Sequence, residues 1–347
     1  MDNHIKAMRS PHISKLSGCT ALQPLFSMNV CAVTRQRDGA FANRHVGMTD
    51  LRSGLREGDF FTRRRAQPCM TAFFKVHCQE MQLDPRLRGV CAGYESGTWR
   101  AERLSRYLME SLPEFCLSYS ENESIKGTNA VSQLRAAAQT VYDTDKYDRR
   151  GEFGELLLHV LLRETVKTQP AISKIYFKDS VNNTVKGFDA IHVVDTPLGL
   201  ELWLGEVKFY KDIGQAITDV TKELKSHFED DYLKKEFLLI TNKLDAAWPG
   251  TSKLKNLLHK NVSLDDVVST IVVPVLLTYE STTTQGYTKA CAEYAQTLTE
   301  ELQKIHARFK KANSVNQIRI ELFLFPMKSK QDLLEQLHKR LIAAQNI

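Results

Sequence analysis

Apolar and polar positions along the chain switch between a period of 3.6 and a period of 2, and the switches mark out elements. Leu104, Leu108 and Leu112 recur every four residues and predict a helix over 99–116. Residues 134–142 predict another. Over 151–166, Phe153, Leu156, Leu157, Val160 and Leu161 share one face at helical spacing. Strands follow at 173–178 (SKIYFK), at 188–195 (FDAIHVVD) and, after the turn Thr196-Pro197-Leu198-Gly199, at 200–210 (LELWLGEVKFY). A helix over 213–228 leads to a strand at 236–241 (EFLLIT). Strands over 270–279 and 318–325 and helices over 287–311 and 330–345 complete the reading. From residue 151 the order is helix, three strands, helix, strand, a mixed α/β fold with helices packed on a central sheet.

The pattern weakens toward the start. Residues 1–47 carry six Lys or Arg against Asp2 and Asp38, with no sustained period. They read as a disordered extension or an over-long start in preference to a transit peptide, which would show an amphipathic stripe. Residues 48–130 read as a helical accessory region with a short basic run, Arg63 to Arg65. The polar stretch 121–129 closes it, and 131–347 is the principal domain.

Composition removes whole classes. With 347 residues, 42% hydrophobic and 25% charged, the chain is not collagen, mostly disordered or a disulfide-knotted miniprotein. No apolar run approaches the roughly 20 residues of a membrane span. A net charge of +6 permits a polyanionic partner without demanding one. Seven cysteines with no C-x-x-C fit reduced, idle thiols in a cytoplasmic chain. Walker A, G-x-G-x-x-G, G-x-S-x-G and H-E-x-x-H are all absent, so NTPase, Rossmann, serine hydrolase and zincin readings have no anchor. Asp143, Asp145 and Asp148 read as a polar connector, and His192 and His227 as satisfied or exposed histidines.

The candidate chemistry lies on the strand at 200–210. Alternation puts Leu202, Leu204, Glu206, Lys208 and Tyr210 on one side, so an apolar strand carries two opposite charges about 6.6 Å apart. Buried charges need a partner or a metal. Asp189 opens the preceding strand and can lie beside Glu206 across the hairpin, where two carboxylates repel unless a cation joins them. Oxygen ligands suit Mg²⁺, with Mn²⁺ as the other candidate. Lys208 can hold or help activate the attacking water and offset charge growing on a phosphate, which suits phosphodiester hydrolysis. On the helix before the sheet, Glu155 is chosen as a third acid and metal ligand, with Glu152 in reserve, and His159 or Arg163 is a candidate for touching phosphate. The tripeptide Glu223-Leu224-Lys225 repeats E-x-K on a helix and reads as a solvated pair.

Gly187-Phe188-Asp189 followed by Leu204-Gly205-Glu206-Val207-Lys208 resembles the G-D…E-x-K signature of the PD-(D/E)xK nuclease superfamily, whose core has the αβββαβ order. The strings RGEFGELLLH (150–159), IYFKDSVNNTVKGFDAIHVV (175–194) and LELWLGEVKFYKD (200–212) resemble the HamA family more closely, the nuclease subunits of the Hachiman anti-phage defence system. The resemblance is strongest over 149–245. It implies that Asp189 and Glu206, with Glu155 less securely, bind the divalent ion, that the Val207 carbonyl is a further ligand, and that Lys208 assists the water. Phe188 stands where the superfamily has Pro. The resemblance also implies DNA as substrate, 131–347 as the nuclease domain, and a helicase subunit of the same system as partner.

Overall fold

Residues 73–142, 151–172 and 187–347, which the computed structural model describes, all fall within the unit Pro68–Ile347. Their strands and helices begin with β1 (Lys75–Glu80), β2 (Arg86–Cys91), β3 (Tyr94–Glu95), β4 (Thr98–Trp99), α1 (Ala101–Glu110), α2 (Leu112–Cys116), α3 (Tyr119–Glu123) and α4 (Ala130–Val141). Next come α5 (Glu152–Leu161), ending in a π-helical turn, then β5 (Gln169–Ile172), β6 (Ala190–Thr196) and β7 (Gly199–Phe209). The remainder are α6 (Ile213–His227), α7 (Asp230–Lys243), α8 (Thr251–Leu257), α9 (Leu264–Ser269), β8 (Ile271–Glu280), α10 (Thr282–Gly286), α11 (Ala292–Ala312), β9 (Arg319–Met327) and α12 (Lys330–Gln345).

Seven strands form one mixed sheet in the order β1-β2-β9-β8-β7-β6-β5, while β3 and β4 pair separately. The middle four, β2, β9, β8 and β7, run parallel. The flanking strands β1, β6 and β5 are antiparallel to their neighbours. Parallel strands covered on both faces read as continuous apolar runs, and β8 (IVVPVLLTYE) is buried at every position but its last. Helices α1, α2, α4, α5 and α12 cover one face, and α6, α7, α8, α9 and α11 the other.

One close approach sets the site. A Cβ on Gly154 would lie 2.7 Å from Phe209 Cβ and 2.8 Å from Val207 Cγ1, so glycine lets α5 press directly on β7.

The mixed α/β reading holds, with three differences in detail. The segment 236–241 is no strand but part of α7, where Leu233, Glu236, Phe237 and Ile240 turn inward at helical spacing and Leu238 and Leu239 face solvent. The strand that follows α6 in the sheet is β8, which lies beside β7. Residues 73–130, expected to be helical, begin with β1 and β2, two strands of the main sheet. Arginines disguise β2 (RLRGVC): Arg88 is buried because its Nε donates to Glu321 Oε2 at 2.9 Å on the adjoining β9. Pro113 helps to divide the helix expected over 99–116 into α1 and α2. The strand expected at 173–178, the connector at 143–148, Arg63 to Arg65 and the extension 1–47 lie outside the described residues.

Candidate active site

The β6–β7 hairpin positions the acids. Its two-residue turn, Pro197-Leu198, fixes a register in which Thr196 pairs with Gly199 and Ala190 with Gly205. The paired register ends at Ala190 and Gly205. One residue before it, the Asp189 N–H donates to the Gly205 carbonyl at 2.8 Å, and the Asp189 carboxylate reaches the backbone of Val207, next to Glu206. Val207 and Phe209 face α5, while Leu202 and Leu204 face the α6 side, so alternation gives Glu206 and Lys208 to α6. Asp189, Glu206 and Lys208 are all buried.

Each charge has a partner. The Val207 N–H donates to Asp189 Oδ2 at 2.8 Å. His227 Nδ1 lies 2.5 Å from Glu206 Oε1. The Lys208 ammonium forms an ion pair with Glu223. Burial drives the Glu206 carboxyl up to about 7; the Asp189 charge adds to this, while the His227 hydrogen bond and Lys208 oppose it. Burial alone would lower Lys208, but the hydrogen bond and charge of Glu223, with Asp189 and Glu206, hold its pKa above the ordinary value. His227 behaves alike: burial would lower it, and Glu206, then Glu223 and Asp189, raise it. The environment therefore favours the cationic forms of a lysine and an imidazole beside the two acids.

The expected trio thus meets at one spot. Glu155 and Glu152 are buried in the first turn of α5, on the helix that reaches β7 from the other face. The hydrogen bonds and ion pairs that hold Glu206 and Lys208 come from α6. His159 and Arg163, the candidates for touching phosphate, lie along α5 and its continuation. Both bind Glu114, and His159 Nδ1 meets His192 Nε2 at 3.2 Å. His192 is the satisfied core histidine the sequence suggested, with Thr168 Oγ1 2.7 Å from its Nδ1. Glu223, expected to be solvated, and His227, expected to be a satisfied or exposed histidine, are site residues that the strand motif does not mark. Their spacing was the available signal: four apart on a helix, flanking the buried stripe Ala216, Ile217, Val220 and Leu224.

Asp189 and Glu206 are suited to a hard divalent ion, which relieves the repulsion of two buried carboxylates and takes its remaining ligands from carbonyls, water or phosphate. Among the described residues, no group of three or more His, Cys, Asp or Glu is arranged to hold a metal ion, so the protein's part here is a pair of carboxylates. Among the same residues, no helix is long and apolar enough to cross a membrane.

Fold and site together define a mixed α/β protein with two acids and a lysine gathered at the C-terminal end of a central strand. A family model described as HamA matches residues 70–341, and the chain belongs to that family, which places it in Hachiman anti-phage defence. Comparison with curated proteins gives no match.

Proposed function

We propose that the chain is a metal-dependent deoxyribonuclease of the PD-(D/E)xK type, the effector of its defence system, acting with a helicase subunit. The observation that carries this reading is the hairpin that brings the Asp189 carboxylate onto the Val207 N–H, between Glu206 and Lys208 on β7. The element order around it, α5, β5, β6, β7, α6 and, after α7 to α9, β8, with β8 parallel to β7, supports the superfamily core.

Asp189 and Glu206 would hold a Mg²⁺ or Mn²⁺ ion; Glu155, the expected third acid, is not gathered with them into a group of three among the described residues. When bound, such an ion polarises the scissile phosphate and lowers the pKa of its water. The Lys208 ammonium, pinned by Glu223, orients the attacking water and offsets negative charge growing on the phosphate oxygens. Burial of all three side chains keeps the local dielectric low, which strengthens each of these effects.

The test is a cleavage assay on DNA with the full chain, alone and with the helicase, in Mg²⁺ or Mn²⁺ against EDTA. The expected result is metal-dependent cutting that the Glu206→Ala, Lys208→Ala double variant loses while remaining folded. A chain that retains DNA in EDTA and never cuts is a binding or scaffold subunit, and the proposal fails. RNA in a parallel reaction decides the substrate.

A further inference from the structure

The ring of His227 is clamped far more tightly than a residue at a helix end requires. It stacks on Tyr232 with centroids 4.5 Å apart and planes 12° from parallel, and meets Phe188 edge-on at 5.2 Å. Its side chain is only 14% exposed, and its Nδ1 points at Glu206 Oε1. Phe188 immediately precedes Asp189, so the same clamp touches the segments carrying both acids. The residue that departs from the superfamily's Pro therefore has a use here, as one wall of the imidazole's slot.

We propose that His227 is a positioning residue: its Nδ1–H fixes the Glu206 carboxylate in the orientation that receives the divalent ion. The inference rests on the metal-dependent reading above and concerns ion affinity, not the chemical step. A carboxylate with one oxygen held by a donor loses its rotational freedom about the terminal bond, and the ion then finds its ligand already aimed. Losing such an outer hydrogen bond weakens metal binding by about 10- to 100-fold in other sites.

Two substitutions separate donor from packing. His227→Phe keeps a ring for Tyr232 and Phe188 and has no N–H; His227→Asn offers a donor near the Nδ1 position and gives up the stack. Mn²⁺ alone is titrated into the full 347-residue chain, with the free ion followed by electron paramagnetic resonance. The expected result is binding by wild type, about 10- to 100-fold weaker binding by His227→Phe, and affinity closer to wild type in His227→Asn. Equal affinity in wild type and a folded His227→Phe overturns the positioning role alone. If His227→Phe melts below the assay temperature, His227→Ala takes its place with the same two outcomes. A wild-type chain that binds no Mn²⁺ overturns the metal-dependent reading and this inference with it.

Discussion

Glu206→Gln is expected to stabilise the metal-free protein while ending cleavage. Glu206 is buried beside Asp189, and that burial, joined by the Asp189 charge, lifts its pKa from 4.5 to about 7. A carboxyl whose pKa rises on folding holds its proton more tightly in the native state than in the unfolded chain. Wild-type stability therefore falls as pH climbs from about 4.5 through about 7, and the full penalty stands above that. At 1.36 kcal/mol per pKa unit the penalty is about 3 kcal/mol. Glutamine keeps the shape and an acceptor for His227 and carries no charge. Denaturation in EDTA should then find the variant level with wild type at pH 4.5 and up to about 3 kcal/mol more stable at pH 8. In a domain of this size each kcal/mol raises Tm by roughly 2–4 °C. Added Mg²⁺ should narrow the gap, because it binds and stabilises only the wild type. A variant less stable than wild type at pH 8 would refute the reasoning: Glu206 would then be an anchor for Lys208 and His227, and the neighbouring acids would impose no net strain.

Two further outcomes follow from the packing around the site. Gly154→Ala inserts a methyl group where Phe209 Cβ is 2.7 Å away, so α5 must back off β7 at a cost of about 1–3 kcal/mol. Melting temperature and DNA cleavage should both fall, and an unchanged pair would show that the close approach is dispensable. Burial, with the charges of His159 and Arg163, holds the His192 pKa well below 6.5. The unfolded chain therefore takes up a proton there below pH 6.5 that the native one refuses. Stability complete above that pH is lost beneath it by up to about 1.4 kcal/mol per pH unit. His192→Gln should remove that share of the acid slope in denaturation from pH 7 to 5; identical slopes in both proteins would count against it.

The hairpin was legible because its determinants are local. A two-residue turn between alternating strands fixes the count, and the count brings residue 189 to the end of the hairpin beside residues 205–207. The segment 236–241 misled for the converse reason. Four apolar residues in a row suit a buried strand and a helix equally, and only the packing of Phe237 and Ile240 against the sheet, with Leu238 and Leu239 left outside, decides between them. Strand β2 was hidden by Arg88, whose place in the core depends on Glu321, 233 residues further along. No local pattern records a partner at that separation.

The site divides along the same line. Asp189, Glu206 and Lys208 stand out because charges are costly in an apolar strand, but the strand does not say how the cost is met. Glu223 and His227 meet it from 15 and 21 residues away, through the return of α6 across the face of β7. Glu223-Leu224-Lys225 lies on a helix as expected, but Glu223 is no solvated partner of Lys225, because it pairs with Lys208. Leu224 is in the buried stripe, so Glu223 beside it and His227 one turn later are carried to the edge of the sheet. Two strands can therefore supply the acids and the lysine, while the side chains that partner Glu206 and Lys208 come from the helix that follows. A chain with the same strand motif but no acid or imidazole on that helix would have to leave Lys208 and Glu206 to pair with each other, and an ion would then compete with the lysine for its ligand. Here Glu223 takes the charge of Lys208 and His227 meets one oxygen of Glu206, so the lysine and the glutamate need not pair with each other.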